Sequence, residues 1–399
     1  MRREAITVTG LGCVCAGGKN LPETMGAMYA GRRCPVFSTR IRTSLNKEFP
    51  VFEIPGDLRA PDGLPVRRNA SRTSLLALIA TREALNHAGW SLEDLKGRRV
   101  GVCMGTTVGC TLNNEPFYRS FRMGERPDPA PATDMLDNNP SLLVARALGV
   151  RGPAITIANA CSSGADAVGL ARSWIASGLC EVAIAGGADE LSRITRLGFA
   201  SLLITSSEPC RPFDRRRSGL NLGEGAGVMV LESRGSLQAR GAQALAEVAG
   251  YACAADAYHP TAPHPQGRGL RRAILGALRD AGARPEDVDF VNAHGTATPD
   301  NDRVEGQSLA DLLPTRPPVA STKSYTGHTL GASGGIEAVF TVQALLDRRA
   351  PATVGFEEAD PECAITPTTA NTDLRARLAI SNSLAFGGNN SVLVFRRDW

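Results

Sequence analysis

The sequence predicts an α/β fold made of two duplicated halves, and three observations support this prediction. Short apolar segments of strand type alternate with amphipathic segments of helix type along the 399 residues, which is typical of proteins with largely buried sheets. The 42 glycines suit tight turns between strands and helices, and a hydrophobic content of 43% suits a sizeable core. The third observation is a faint internal repeat, which relates segments of the first half to segments of the second half.

Each predicted element depends on its own local pattern. Short continuous apolar runs predict strands that are buried on both faces, and longer segments with apolar residues at helical spacing predict helices. The predicted strands span residues 6–8, 100–104, 154–157, 182–185, 227–231, 290–293, 378–381 and 391–395. The predicted helices span residues 74–88, 165–177, 270–280 and 336–348.

The internal repeat pairs residues 88–95 with residues 281–288, so that Ala88 and Ala281 are equivalent. Each copy follows a predicted amphipathic helix and precedes a predicted strand. Residues 7–12 also match residues 246–251, more loosely. Duplication of one α/β unit explains both matches.

We place the boundary between the halves near Gly241, after a polar segment at 232–240 that predicts a short helix. The N-terminal half then spans residues 1–240, and the C-terminal half spans residues 241–399. Binding sites form preferentially where two such units meet, so we expect the reactive side chains at this junction.

Composition excludes several classes of function. A formal charge of +4 is small for this length and argues against nucleic-acid binding. The ten cysteines form no C-x-x-C pair and most lie in apolar runs, so nine of them are interpreted as free thiols of a reducing compartment. No segment has the length and composition of a signal peptide or a membrane span. We therefore expect a soluble, cytoplasmic protein.

Cys161 is the candidate nucleophile. It lies in the turn between the predicted strand 154–157 and the helix that follows, and its neighbours Ala160, Ser162 and Ser163 are small. The N–H groups and the dipole of a helix N-terminus stabilise a thiolate, so the pattern predicts a lowered thiol pKa. The same N–H groups can stabilise an oxyanion when a thioester is attacked. A buried structural cysteine is the alternative, but the strand–turn–helix setting favours function.

Two histidines and a lysine lie in polar, glycine-bearing loops of the second half. His294 ends a predicted strand, whereas His328 follows Lys323 by five residues and precedes a helix that carries Glu337. One such histidine alone is usually structural, but two beside a candidate nucleophile indicate catalysis. Neutral Nε2–H groups can donate to a thioester carbonyl and stabilise the enolate that forms when CO₂ departs. Lys323 is expected to orient this network, or to polarise it through Glu337.

These motifs belong to an ordered set that covers nearly the whole chain. The set consists of VTGLG at 8–12, ACSSG at 160–164, AGGA at 185–188, RPFD at 211–214, GEGAG at 223–227, DAYH at 256–259, NAHGT at 292–296, STKSYTGH at 321–328 and NSLAFGGN at 382–389. In these motifs the chain resembles the elongating β-ketoacyl-acyl-carrier-protein synthases, or ketosynthases, of the thiolase-like superfamily.

The resemblance implies a five-layer α-β-α-β-α fold with two related halves, usually in a dimer, and no redox cofactor or catalytic metal. By motif position, Cys161 would accept an acyl chain from acyl-carrier protein as a thioester. His294 and His328 would then drive decarboxylation of malonyl-acyl-carrier protein, with Lys323 supporting His328. The resulting carbanion would attack the acyl-cysteine carbonyl and form the β-ketoacyl product.

The resemblance also assigns binding residues. The backbone amides of Cys161 and Phe386 would form the oxyanion hole, and the Phe386 ring would gate the acyl pocket. Thr296 and Thr298 would bind the phosphopantetheine arm of the carrier protein through their hydroxyls.

Three departures from the family pattern leave the acyl chain and the pathway open. Ser218 stands where the family often has Asp, the last glycine loop carries Leu384, Ala385 and Asn389, and the stretch 111–139 is short and rich in Asn and Pro. Fatty-acid elongation is the expected setting. A type II polyketide or polyene pathway is the alternative, in which this chain would be the active half of a heterodimer with a chain-length factor.

Three related classes fit the sequence less well. A thiolase needs a second reactive cysteine in the C-terminal half, but Cys363 lies in a loop-like stretch rich in Pro and Glu. An initiating ketosynthase would carry Asn in place of His328. A chain-length factor, which acts as a binding subunit, would lack the nucleophile Cys161.

Acyl-carrier proteins are strongly acidic, so a basic rim is expected at the mouth of the pocket. A solvated surface is the plainer interpretation of any short arginine run. The candidate rim residues are Arg67, Arg68 and Arg72, followed by Arg119, Arg122 and Arg126.

Charge reversal at Arg67 and Arg68 tests this docking surface. We expect the double Arg→Glu variant to raise KM for carrier-bound substrate about tenfold, because only the carrier protein contacts the rim. Activity on small thioesters should stay largely intact. Steady-state kinetics with both kinds of substrate measure the difference, and equal losses on both would refute the docking role.

Overall fold

The computed structural model describes residues 5–45, 47–66, 70–109, 114–130 and 139–397. The first half contains β1 (Ile6–Cys15), α1 (Leu21–Tyr29), α2 (Arg72–His87), α3 (Leu92–Leu95), β2 (Val100–Gly105), α4 (Glu115–Arg122), α5 (Pro140–Leu148), β3 (Ala154–Ile157), α6 (Ser163–Ala176), β4 (Val182–Asp189), α7 (Arg193–Ser201), β5 (Gly225–Ser233) and α8 (Arg234–Ala239). The second half contains β6 (Ala246–Ala255), α9 (Arg268–Asp280), β7 (Phe290–Asn292), α10 (Pro299–Leu312), β8 (Val319–Ala320), α11 (Lys323–Thr326), α12 (Ser333–Asp347), β9 (Arg349–Ala350), β10 (Thr372–Asp373), β11 (Leu378–Ala385) and β12 (Asn389–Arg396).

The strand order of the main sheet shows the duplication directly. The order is β3-β2-β4-β5-β1-β6-β12-β11-β7-β8. Counted from its own end of the sheet, the first half has the order β3-β2-β4-β5-β1, and the second half has the equivalent order β8-β7-β11-β12-β6. Within each half the pairing directions agree, because β2 and β7 lie parallel to both neighbours, whereas β5 and β12 lie antiparallel to theirs. The halves join where β1 pairs with β6, at Thr7↔Glu247 and Val8↔Ala246. Gly241, the predicted boundary, lies in the turn between α8 and β6.

Helices cover the strands on both faces and produce five layers. α2 and α5 pack on the outer face of the first half, and α9 and α10 pack on the outer face of the second half. α6 and α12 lie side by side between the halves, where they contact the inner faces of both. In β5, Val228 and Val230 face the outer core while Met229 and Leu231 face the middle core. The expected five-layer α-β-α-β-α fold is therefore confirmed.

Close glycine contacts correct the register of the predicted repeat by one residue. A Cβ on Gly10 would lie 2.0 Å from the Ala84 carbonyl oxygen, and a Cβ on Gly250 would lie 2.2 Å from that of Ala277. The two glycines are thus structural equivalents, since each lets its strand lie against an outer helix at the same place. The sequence match had aligned Gly10 with Ala249 instead, because it followed composition rather than packing.

All predicted strands and helices occur, although the polar segment at 232–240 is helical only from Arg234. Its first residue, Glu232, belongs to β5 and is fully buried. There its carboxylate pairs with Arg240 at 2.7 Å and accepts a hydrogen bond from Trp90 Nε1 at 3.1 Å. A buried carboxylate with such partners is chemically satisfied, so polarity alone did not reveal that this position lies inside.

The two ends of the main sheet differ. β8, at one end, has two residues, and both are buried. β3, at the other end, is only partly covered by the described residues, and Ile155 is 46% exposed. None of the described helices has both the length and the apolar character that a membrane span requires.

Gly10→Ala tests the close contact between β1 and α2. The added Cβ collides with backbone that cannot rotate away, so we expect the unfolding free energy to fall by about 3 kcal/mol or more. Gly26→Ala in α1 is the matched control, because nothing lies within 4 Å of its Cβ position. That change should raise the unfolding free energy by up to about 1 kcal/mol, since alanine favours a helix. Urea denaturation measures both, and equal effects would contradict the packing argument.

Candidate active site

The structure brings the predicted thiol and both imidazoles to one point between the halves. Cys161 lies at the turn before α6, His294 follows β7, and His328 follows α11. Cys161 Sγ lies 3.1 Å from His328 Nε2, and the ring centroids of His294 and His328 are 5.3 Å apart with the planes at 89°. These three side chains therefore surround a space that one thioester can occupy.

The turn that carries Cys161 is held in a strained conformation. Ala160 has φ 49°, in the left-handed region that a residue with a Cβ rarely adopts. Ser163 Oγ donates to the Ala160 carbonyl at 2.6 Å, and the Asn159 N–H donates to the same hydroxyl at 2.7 Å. These bonds support a sharp strand-to-helix turn, which presents the sulfur to the cavity at the start of α6.

Hydrogen bonds at Nδ1 place the proton of each imidazole on Nε2. The Leu330 N–H donates to His328 Nδ1 at 3.2 Å, and Lys323 Nζ lies 3.0 Å from His294 Nδ1. Burial lowers the pKa of both histidines well below its usual value, and the nearby Lys323 charge lowers both further. Both rings are therefore neutral and present an Nε2–H donor, as the sequence analysis required.

The predicted lowering of the Cys161 pKa is wrong. Burial raises the pKa of this thiol to about 12, which outweighs the opposing effects of the Lys323 charge and of backbone N–H groups. The position before a helix can be read from the sequence, whereas the burial that leaves Cys161 only 3% exposed depends on the whole fold. The neutral thiol is therefore the favoured form of Cys161 in these surroundings.

Lys323 and Glu337 form a buried ion pair beside His294. Burial raises the pKa of Glu337 to about 7, although the Lys323 charge and its hydrogen bond act in the opposite direction. Since Lys323 contacts both Glu337 and His294, the expected link between lysine, glutamate and imidazole is present. The resemblance implied that Lys323 supports His328. In the structure the lysine instead contacts the His294 ring.

Glu305 in α10 is a site residue that the sequence analysis missed. Its two carboxylate oxygens accept hydrogen bonds from the backbone N–H groups of His294 and Gly295, both at 2.8 Å. Asn382 donates to the same carboxylate at 3.1 Å. Glu305 therefore fixes the loop that carries His294. The sequence could have indicated this residue only through its position, a glutamate eleven residues after the histidine.

The predicted oxyanion-hole residues flank the sulfur. The backbone N–H groups of Phe386 and of Cys161 itself face Sγ closely enough to lower the thiol pKa. The Phe386 ring stacks on Phe199, with centroids 5.4 Å apart and planes at 15°. Phe199 also meets the His328 ring edge to face. Phe199, which the sequence did not indicate, therefore lies between the Phe386 ring and the His328 ring.

A cavity of about 360 Å³ opens onto these groups. Its walls include the predicted catalytic side chains Cys161, His294 and His328, together with Thr296 and Thr298. The two threonine hydroxyls lie 2.9 Å apart, and both residues line the cavity. Leu384 and Ala385, two of the departures from the family pattern, also line this cavity.

The docking arginines have different positions. Arg67 and Arg68 lie outside the described residues. Arg72 binds the buried carboxylate of Glu224 at 2.7 Å and donates to the Ile54 carbonyl at 2.9 Å, so its charge compensates a buried carboxylate. The structure therefore does not place Arg72 on a free basic rim.

The remaining candidate arginines are exposed. Arg119 and Arg122 lie on α4, and Arg126 follows that helix. No group of three or more His, Cys, Asp or Glu side chains in the described ranges could hold a metal ion.

Models of two protein domains match this chain. The model of the beta-ketoacyl synthase N-terminal domain covers residues 3–236, and that of the C-terminal domain covers residues 245–357. The chain belongs to the β-ketoacyl synthase family. It is therefore an acyltransferase of the condensing type, as its motifs predicted.

Individual ketosynthases are similar over the full length. A 3-oxoacyl-[acyl-carrier-protein] synthase 2 of Synechocystis sp. is 35% identical over 100% of this chain and 99% of its own. The solved structure of the ishigamide ketosynthase/chain length factor has a TM-score of 0.93, with 32% identity and full coverage of both chains. A type II polyketide synthase acyl-carrier protein in complex with its ketosynthase gives a TM-score of 0.89, with 27% identity and full coverage of both chains.

Glu337→Gln tests the ion pair of this ketosynthase through its pH profile. A pKa of about 7 means that Glu337 loses its charge as the pH falls through about 7, so Lys323 then lacks an ionised partner. We expect malonyl decarboxylation in the unmodified enzyme to decrease over that interval. In the variant the inflection near pH 7 should disappear, and the rate at about pH 8 should be about tenfold lower.

The measurement is CO₂ release from a malonyl thioester across the pH range. Glu357→Gln is the control, because this carboxylate is exposed and pairs with surface arginines. An inflection near pH 7 that persisted in Glu337→Gln would assign the titration to another group.

Proposed function

We propose that this chain joins an acyl group on Cys161 to the two-carbon unit of malonyl-acyl-carrier protein, with loss of CO₂, to give β-ketoacyl-acyl-carrier protein. One observation carries the proposal: a sulfur and two neutral imidazoles face the same cavity, with Sγ 3.1 Å from one ring nitrogen. A hydrolase needs one imidazole as a base. Two Nε2–H donors instead suit stabilisation of an enolate.

The first step transfers the acyl group to the enzyme. Sγ attacks the carbonyl of the acyl-carrier thioester, and the N–H groups of Cys161 and Phe386 bind the oxyanion that forms. The phosphopantetheine thiol departs and takes up the proton that the cysteine lost. Because burial opposes a free thiolate, the donors around Sγ are expected to stabilise negative charge on the sulfur as it attacks.

The second step uses the imidazoles. Nε2–H groups of His294 and His328 donate to the thioester carbonyl of the bound malonyl unit, and CO₂ leaves as the enolate forms. The enolate carbon attacks the acyl carbonyl, and Cys161 departs as the new carbon–carbon bond is completed. Lys323 and Glu305 keep His294 in its donor orientation throughout. Thr296 and Thr298 hold the phosphopantetheine arm.

The partner protein is an acyl-carrier protein with a phosphopantetheine-linked acyl or malonyl group. The synthase 2 from Synechocystis, with carrier protein in its name, supports fatty-acid elongation as the setting. The ishigamide and type II polyketide structures support the alternative, in which this chain is the active half of a heterodimer with a chain length factor. The proposed docking surface for the carrier protein is the basic rim that contains Arg67 and Arg68. Arg72 is not part of this proposal, because it forms an ion pair with Glu224.

A second subunit is part of the proposal, either a copy of this chain or a chain length factor. α4 has no buried residue, and it exposes Tyr118 and Phe121, each at least 60%, with Met123 directly after it. Apolar side chains grouped in this way usually meet another protein surface. The proposed compartment is the cytoplasm, where the nine free cysteines of the described ranges would stay reduced.

Two substitutions separate the proposed steps. Cys161→Ala should abolish condensation and retain malonyl decarboxylation, because both imidazoles survive. His328→Ala should lose decarboxylation by about 100-fold and still accept an acyl group on Cys161. Intact-mass analysis after exposure to a panel of acyl-carrier thioesters follows acylation and also reports which acyl length is retained, while CO₂ release follows decarboxylation.

Cys34→Ala is the control for the cysteine change, because Cys34 is an exposed free thiol. Its acylation and CO₂ release should equal those of the unmodified protein. Condensation that persisted in Cys161→Ala would show that the nucleophile is assigned to the wrong residue.

A further inference from the structure

Asp166 is a buried carboxylate in the first turn of α6 that the proposed reaction does not use. It is 6% exposed, and four neutral groups donate hydrogen bonds to it. Two of the donors belong to the turn that carries the nucleophile: Asn159 Nδ2 at 2.6 Å and Ser162 Oγ at 2.9 Å. These residues stand on either side of Ala160-Cys161, so one carboxylate holds both ends of the strained turn.

The other two donors belong to the second half of the chain. Tyr251 in β6 donates its hydroxyl to Asp166 Oδ1 at 2.8 Å, and Ser391 in β12 donates to the same oxygen. The Tyr251 ring lies against α6 at Gly169, where a Cβ would fall 2.4 Å from the ring. Asp166 therefore ties the nucleophile turn to two strands across the junction between the halves.

The Ser162 hydroxyl shows what this arrangement does at the helix N-terminus. Ser162 is the N-cap residue of α6, a position where serine normally accepts a hydrogen bond from a backbone N–H of the first turn. Here its side chain makes no such bond, and its single hydroxyl proton is shared between Asp166 and the Asn159 carbonyl, each 2.9 Å away. The first N–H of α6, that of Ser163, instead donates to the Ala160 carbonyl at 3.2 Å and so also supports the turn that carries Cys161.

We propose that Asp166 is a positioning residue for the nucleophile: with Tyr251 and Ser391 it holds the Asn159–Ser162 turn so that Cys161 Sγ faces its N–H donors. This role deepens the proposed acylation step and concerns the thiol rather than the imidazoles. A turn that relaxes by about 1 Å would misplace the sulfur and slow its reactions by up to about 100-fold. Decarboxylation depends on His294 and His328 and should be spared.

Three variants and one control test the proposal in the full-length protein. Asp166→Asn replaces an acceptor oxygen by a donor, while Tyr251→Phe and Ser391→Ala each remove one hydroxyl. Tyr29→Phe is the matched control, because Tyr29 also donates to an aspartate, Asp347 at 2.9 Å, at an exposed position. The readouts are alkylation of Cys161 by iodoacetamide as a function of pH, acylation by a hexanoyl thioester of N-acetylcysteamine, and CO₂ release from the malonyl thioester.

We expect alkylation and acylation to fall together, by about 10- to 100-fold in Asp166→Asn and about 3- to 10-fold in Tyr251→Phe. CO₂ release in Tyr251→Phe should stay within about twofold of the unmodified protein, and Tyr29→Phe should change none of the three rates. If Asp166→Asn does not fold, Tyr251→Phe and Ser391→Ala decide the question.

Three results would overturn the proposal: unchanged alkylation in the folded variants, a parallel loss of CO₂ release, or faster alkylation in Asp166→Asn. The last result would mean that Asp166 acts through its charge, since removing an anion favours the thiolate. Alkylation needs no acyl transfer. A wild-type protein that is alkylated but never acylated would therefore contradict the proposed function and leave this test intact.

Discussion

A lysine ammonium buried between the two halves of the fold is the constraint on which the site depends. Lys323 is 1% exposed, and a buried charge is tolerated only when neighbouring groups compensate it. Glu337 supplies the opposite charge, and His294 accepts from the ammonium through Nδ1. The same cation opposes protonation of both imidazoles. The buried lysine thereby fixes the proton position on His294 and adds to the effect of burial, which is the main reason that both imidazoles stay neutral.

Glycines let the two middle helices begin at the same place. A Cβ on Gly164, at the start of α6, would lie 2.6 Å from the backbone nitrogen of Gly335 at the start of α12. Cys161 and His328 stand just before these two helices, so the contact between the helix starts sets the distance between sulfur and imidazole. The two loops have corresponding places in the duplicated fold, since Cys161 lies between β3 and α6 and His328 lies between β8 and α12. One loop supplies the candidate nucleophile and the other supplies a hydrogen-bond donor.

Much of the fold and the reacting groups could be predicted because they follow local rules. Apolar runs located the strands, and the small residues around Cys161 located its turn. The prediction that 154–157 is buried on both faces was wrong, because β3 lies at the end of the main sheet and Ile155 is 46% exposed. α10 was not predicted, because the face it buries carries Asp302 and Glu305, so hydrophobic periodicity was absent. The pKa of Cys161 was misjudged because a helix terminus is a local feature, whereas burial depends on the whole fold. Phe199 was missed because its stacking partner lies almost two hundred residues away.

The unequal ends of the main sheet bear on how far this molecule can assemble. An uncovered edge strand presents unpaired N–H and C=O groups to any chain that can align with it. Among the described residues β8 is short and buried, whereas Ile155 in β3 is 46% exposed, so β3 is the end of the main sheet that a second chain can approach more readily. Two chains that met through β3 would join their main sheets into one, with β3 of each at the centre and β8 of each at the outer ends.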